Sequence, residues 1–320
     1  METMVKYPLV EIFGRPVTAY ALCVVVSLAL GLLMLWREQK KRQMKTETAE
    51  IFAPLALPLG LIGARAFYCL ARISFYLEIG AVNMLRLWDG GYALWGAVGG
   101  AALAAVLTAK ITKQKISSLL DALAAPAALT IALCRLSEFF SGEGIGMYVE
   151  NEAFWRFPFA VSNEWGEWYW SIFLLEGAAA LVIFLVLTLK RNGKPGDHAK
   201  LFLLLYSTAQ ILLESLRRDN FLRWLFVRVS QLTAVLVLAG LMIAAVIRWL
   251  QLPKEKRMSA LKMALCWGIF LICIGISIWM EFAIDKSAVI PVWACYCIMA
   301  VCCVGIGCTS YQIVLKNAKQ

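Results

Sequence analysis

Residues 17–45 read VTAYALCVVVSLALGLLMLWREQKKRQMK: about twenty apolar positions that break abruptly into Arg37, Lys40, Lys41, Arg42 and Lys45. As a helix rising 1.5 Å per residue, the apolar part is about 30 Å long, the thickness of a bilayer's hydrocarbon core. The run lacks a small-residue cleavage site and ends in a strong basic stop. The expectation is therefore a retained transmembrane helix, not a cleavable signal peptide.

The pattern recurs along the chain. Further apolar stretches run approximately over residues 51–71, 92–109, 116–136, 170–189, 199–216, 229–249, 261–284 and 288–315, giving nine expected spans. Composition agrees: 61% of the 320 residues are apolar and 16% charged, against about 45–50% and 25% in soluble domains. That excludes an ordinary soluble enzyme, which needs more polar surface, and it excludes intrinsic disorder. The expected fold class is all-α, a polytopic transmembrane helix bundle.

The net charge of +10 is mostly a topology signal. Lys and Arg cluster after spans 1, 3, 5, 7 and 9: Arg37 to Lys45; Lys110, Lys113 and Lys115; Lys190, Arg191, Lys194 and Lys200; Arg248, Lys254, Lys256, Arg257 and Lys262; Lys316 and Lys319. Every second loop is basic, which places those loops in the cytoplasm, the N-terminus outside and the C-terminus inside. A nucleic-acid partner would need a basic face on a folded soluble domain, so none is expected.

Two outer loops stand out. Residues 137–169 carry six Glu together with Trp155, Trp165 and Trp168, enough chain for a small outer cap with an interfacial aromatic belt. After span 6, Arg217, Arg218, Arg223 and Arg228 interleave with Phe221, Trp224 and Phe226. That segment reads equally as one lying on anionic headgroups or as an ordinary interfacial loop. Seven of the ten cysteines fall in the last two spans, where Cys is a small hydrophobe. No CxxC spacing and a single His argue against a metal site. His198 stands in a basic loop and reads as solvated.

Charges inside spans are costly and are functional candidates by default. Arg65, Arg135, Glu176, Gln210, Glu214 and Arg217, with Tyr20 and Gln231, all fall in the outer halves of their spans. Asp121 lies near an inner end. Individually, Arg135 and Arg217 are also explained by snorkelling to headgroups, and Arg65 with Glu214 by a structural ion pair. Together, six helices bring polar groups to one depth, which favours a pocket. Guanidinium pairs there suit the phosphate of an anionic phospholipid. Asp89-Gly90-Gly91 is a turn signal before span 3. It would hold Trp95 at that depth, and Gly96, Gly99 and Gly100 allow close helix packing.

These residues resemble the prolipoprotein diacylglyceryl transferases of bacteria. WDGG at 88–91 is followed by a Gly-rich span, and LIGARAFY at 61–68 is similar to the family's Gly-Gly-Arg-x-x-Tyr segment. CRLSEFFSGEGIG at 134–146 is similar to the signature Gly-Arg-x-Gly-Asn-Phe-x-Asn-x-Glu-x-x-Gly, with Arg135, Phe139, Glu143 and Gly146 in register. LLEG at 174–177, YSTAQILLESLR at 206–217 and Ser230-Gln231 follow in order, and Tyr20 matches a Tyr of the first span. The resemblance covers roughly residues 8–250. It implies a seven-span core over 1–250 and two additional spans over 251–320.

The resemblance implies a reaction: diacylglycerol moves from phosphatidylglycerol to the lipobox cysteine thiol of a preprolipoprotein at the outer face of the bacterial cytoplasmic membrane. No metal or organic cofactor is required. Arg65, Arg135 and Arg217 would bind the lipid phosphate, Glu143 and Glu214 would anchor them, and Tyr20, Tyr68 and Tyr206 would supply hydrogen bonds. Gln210 and Gln231 complete the expected substrate site. The departures are chemical. The family His after WDGG is Trp95, whose indole only donates. The signature's Asn positions are Glu138 and Ser141, and an Arg of span 6 is Gln210. Glu138 or Glu143 would take over the thiol proton. The other expectation is a non-catalytic or repurposed relative that binds anionic lipid or lipopeptide.

Overall fold

The computed structural model describes residues 8–12, 15–190, 193–219, 222–224, 227–286 and 290–316. The expectations placed on Arg191, Phe221, Phe226 and Lys319, and on the start of the ninth span at Ala288, lie outside these residues, as does the side chain of Trp224. The helices are α1 (Ala19–Lys41), α2 (Glu47–Ala71), α3 (Ile73–Ile79), α4 (Leu94–Thr112), α5 (Ile116–Leu136), α6 (Ile172–Leu189), α7 (Asp197–Leu216), α8 (Val229–Gln251), α9 (Ala260–Lys286) and α10 (Val292–Leu315). All but α3 are long and apolar enough to cross a membrane, nine in all among the described residues. Three short antiparallel hairpins accompany them: β1 (Pro8–Ile12) with β2 (Arg15–Thr18), β3 (Ala160–Ser162) with β4 (Trp168–Trp170), and β5 (Arg223–Trp224) with β6 (Val227–Arg228). The polytopic helical bundle expected from the sequence is thus present.

The chain forms two compact units. The first comprises Met1–Ala199 and Leu216–Ser230. Its core is built from small and branched residues of α1, α2, α4 and α5, among them Leu35, Phe52, Ala104, Ala105 and Leu119. Helices α2 and α4 approach closely because their facing positions carry no side chain: a Cβ on Gly63 would fall on the Gly96 carbonyl, and one on Gly100 on the Leu59 carbonyl. Without water to drive apolar collapse inside a bilayer, such backbone proximity supplies the packing. Asp121 has a structural role. Its carboxylate accepts the N–H groups of Gly196 at 2.7 Å and Ala199 at 3.0 Å, capping α7, whose own N-cap, Gly196, has no side chain to do so. His198 is buried, with Nε2 2.8 Å from the Lys190 carbonyl. It is therefore not the solvated residue that the loop's charge suggested.

The second unit comprises Lys200–Ser215 and Gln231–Gln320. Its core includes Leu204 of α7, Leu238 and Met242 of α8, Phe270 of α9, and Ile306 and Ile313 of α10. Polar contacts tie the last two helices to α7. Ser215 Oγ donates to Glu281 at 2.5 Å, Tyr296 OH reaches the Ser215 carbonyl at 3.4 Å, and Cys303 Sγ reaches the Thr208 carbonyl at 3.0 Å.

Candidate active site

The turn expected at Asp89-Gly90-Gly91 belongs to an irregular segment between α3 and α4, where left-handed glycines and short 3-10 turns leave carbonyls without helical partners. Buried backbone carbonyls require donors, and Arg65 supplies them. Its Nε donates to Met84 O at 3.0 Å, Nη2 to Asn83 O at 3.0 Å, and Nη1 to Gly90 O. The fork of Arg65, which the resemblance assigns to a phosphate, pins this segment. Gly91 has φ +74°, and a Cβ there would stand 2.6 Å from Tyr68 Cε1. Gly91→Ala is therefore expected to destabilise by roughly 1–3 kcal/mol and to push Tyr68 aside, with a raised KM; thermal unfolding and steady-state kinetics check both. Trp95 is buried in the first turn of α4, just after Ala93, whose N–H bonds to Ala64 O at 3.1 Å.

The signature segment is held by backbone pairing. Gly146 N donates to Trp170 O at 2.8 Å, Val149 N to Trp168 O at 2.8 Å, and Phe173 N to Gly144 O at 2.8 Å. These bonds join the segment to β3 and β4. The chain after α7 docks onto it: Arg218 N donates to Ile145 O at 2.9 Å, and Gly144 N donates to Asp219 Oδ2 at 2.9 Å.

Beneath that junction lies a buried ion cluster. Arg135 Nη1 lies 2.5 Å from Glu138 and 3.2 Å from Glu176. Arg217 lies 2.9 Å from Glu176, 3.5 Å from Glu138 and 2.5 Å from Asp219. Arg228 lies 2.9 Å from Asp219 Oδ1 and also donates to the carbonyls of Arg217 and Asp219. Three guanidinium groups thus meet three carboxylates. Arg217 is only 3% exposed and Arg228 7%. Each of Arg135, Arg217 and Arg228 is thus paired with a carboxylate inside the protein. Tyr20, on α1, interacts electrostatically with Arg135, Glu138 and Glu143.

Asp219 lies in the loop after α7. Burial opposes its charge, but the Arg217 guanidinium and its hydrogen bonds, the Gly144 N–H and Arg228 outweigh burial and hold its carboxyl at about 2. A carboxylate depressed in the folded state contributes stability that is complete above its ordinary value and lost as pH falls through the folded one. Stability is therefore expected to drop between about pH 4 and pH 2. Asp219→Asn should remove that acid limb from unfolding curves taken across the range.

Over the cluster opens a cleft of about 610 Å³, within the range of small-ligand sites. Tyr68 and Gly91 line it together with Glu143 on the Gly142–Ile145 turn, and Asn163, Trp165, Tyr169, Arg72, Arg218 and Asp219 complete it. Glu143 therefore faces the cleft, whereas Glu138 is buried among arginines. In the second unit, Gln210 Nε2 donates to Glu214 at 2.6 Å, Gln231 Nε2 to Ile211 O at 3.1 Å, and Tyr206 stacks on Phe202. The neutral Gln210 thus meets Glu214 with an amide.

Sequence reasoning missed Asp219 altogether, counted Glu176 only among the polar groups at one depth without giving it a role, and read Arg228 only as part of an interfacial loop. The signal for Asp219 was the Arg217-Arg218-Asp219 triplet closing a span, where a lone acid beside two arginines has ready partners. Arg72 and Arg218 were not assigned to a site either.

Nine long apolar helices among the described residues, with a buried Arg–carboxylate cluster under a cleft, define the class: a multi-helix membrane protein with a charged interior site. The family model for prolipoprotein diacylglyceryl transferase matches residues 8–249. The phosphatidylglycerol–prolipoprotein diacylglyceryl transferase of Streptococcus suis strain 05ZYH33 is 30% identical over 241 residues, covering 72% of this chain and 87% of the relative. That of Clostridium botulinum strain Langeland is 29% identical over 243 residues, covering 74% and 94%. That of Listeria innocua is 28% identical over 237 residues, covering 72% and 84%. This chain belongs to the prolipoprotein diacylglyceryl transferase family. Helices α9 and α10 lie outside the matched residues.

Proposed function

We propose that this protein transfers the diacylglyceryl group of phosphatidylglycerol to the lipobox cysteine thiol of a preprolipoprotein, in a bacterial cytoplasmic membrane, with its N-terminus outside and its C-terminus in the cytoplasm. The observation that carries the site assignment is Glu143 in a cleft backed by the charge-balanced cluster of Arg135, Glu138, Glu176, Arg217, Asp219 and Arg228.

The thiolate, not the thiol, is the nucleophile. Glu143 takes the thiol proton. The sulfur attacks the glycerol carbon that bears the phosphate ester. A C–S thioether bond forms, the C–O bond breaks, and the electron pair leaves with glycerol phosphate. Charge then builds on the departing phosphate. Preorganised donors at the cleft stabilise it, Tyr68 among them. The buried cluster holds the signature segment and the loop after α7 in place, so the donors need no reorganisation. Trp95 cannot accept a proton; the proposal gives it a packing role and moves proton handling to Glu143.

A non-catalytic relative that binds anionic lipid or lipopeptide is the competing reading, favoured by the buried Trp95 where the family carries His. Expression in bacteria depleted of their own transferase separates the two. Restored growth with thioether-modified lipoprotein supports transfer. Stable expression with no modified lipoprotein supports the binding relative.

A further inference from the structure

The turn between β3 and β4, Asn163-Glu164-Trp165-Gly166-Glu167, borders the cleft. Asn163 ties it together. Its Oδ1 accepts the N–H groups of Trp165 at 3.0 Å and Glu167 at 2.9 Å, and its Nδ2 donates to Glu167 Oε2 at 2.8 Å. Tyr169 OH donates to the same carboxylate oxygen at 2.8 Å. Gly166 closes the turn with φ +80°, a conformation glycine adopts without steric cost. The tied turn sets Trp165 at the cleft with its side chain 82% exposed. A large ring held in water on a fixed turn is a ready anchor for a partner, because Trp supplies wide apolar contact and loses little freedom when covered.

Lipid headgroups and an acceptor peptide are the two candidates to cover the ring, and charge decides between them. Glu164 and Glu167 flank Trp165 and are exposed. The hydrogen bonds from Tyr169 and Asn163 hold the Glu167 carboxyl below its ordinary range, so it stays ionised. Two carboxylates beside the ring repel the anionic headgroups that would otherwise receive it. A secretory signal segment has no such conflict. Its apolar stretch and the small residues before the cleavage site are neutral and pack on an aromatic face. Reach agrees as well. The cleft of about 610 Å³ is roughly 8–10 Å across, the span of about three extended residues. A chain that presents a thiol to Glu143 therefore passes Trp165, which lines the same cleft, within a few residues.

We propose that Trp165 is the acceptor-docking residue of this protein, its ring covering the neutral segment beside the lipobox cysteine while the thiol of that cysteine lies at Glu143. The inference rests on the transferase reading and names the part of the cleft that holds the acceptor. Asn163 and Tyr169 act through the turn, by keeping the ring in place.

The test uses the full chain in nanodiscs of phosphatidylcholine and phosphatidylglycerol, with a synthetic lipobox peptide as acceptor. Wild type, Trp165→Ala and Trp165→Phe are compared. Trp165→Ala should raise the KM for the peptide by about tenfold, the loss expected of an aromatic anchor, with kcat and the KM for phosphatidylglycerol within about twofold of wild type. Trp165→Phe should recover part of the loss, since a ring remains. An unchanged peptide KM in Trp165→Ala overturns the proposal. A rise in the phosphatidylglycerol KM that matches or exceeds the peptide's also overturns it and makes Trp165 a headgroup contact. If wild type transfers nothing, the transferase reading fails, and equilibrium binding still decides this inference. A fluorescein-labelled peptide with serine in place of the lipobox cysteine should bind Trp165→Ala about tenfold more weakly than wild type; equal binding overturns the proposal.

Discussion

Glu143→Gln is expected to lower kcat by roughly two to four orders of magnitude, the usual worth of a positioned general base, with little change in the KM for phosphatidylglycerol. Glu143 lines the cleft and sits on a turn fixed by bonds from Gly146 and to Gly144. Glutamine keeps the size and the hydrogen-bonding capacity but cannot take a proton. Glu138→Gln is the informative companion. Glu138 is 6% exposed and lies 2.5 Å from Arg135, so its loss is expected in stability more than in turnover. Steady-state rates with a lipobox peptide check the pair. A Glu143→Gln protein within about threefold of wild type would remove Glu143 from proton transfer.

Arg217→Ala is expected to cost about 3–5 kcal/mol, the penalty for stripping one partner from a buried ion pair. Arg217 is 3% exposed and meets Glu176, Glu138 and Asp219 together. Removing it leaves three carboxylates to Arg135 and Arg228. Arg217→Lys should recover part of the loss, since an ammonium restores the charge but not the planar fork that serves two carboxylates. Unfolding in detergent, with helical signal as the readout, gives the difference. A loss under about 1 kcal/mol, the scale of a surface pair, would mean that Arg217 is solvated.

The spans were legible in the sequence because a bilayer imposes a length and a polarity that local composition records. The run ending at Trp36 became α1, and each later apolar stretch became a long helix. Position along a span also flagged Arg135, Glu176 and Arg217 as unusual, and Glu138 stood out as a departure from the family signature. Their partners were not legible. The approach of Asp219 to Gly144 and Arg228 depends on how the loop after α7 folds back onto the signature segment, which no local period encodes. Arg65 was flagged by its position in a span, but the carbonyls of Asn83, Met84 and Gly90 around its guanidinium were not legible, because they belong to an irregular segment.

The most direct measurement is mass spectrometry of a lipobox peptide incubated with the purified full chain in vesicles containing phosphatidylglycerol. The account predicts a diacylglyceryl thioether on the cysteine and one glycerol phosphate released per adduct, both lost in Glu143→Gln. An unmodified peptide from a folded chain that binds phosphatidylglycerol would contradict it and leave a lipid-binding relative in its place.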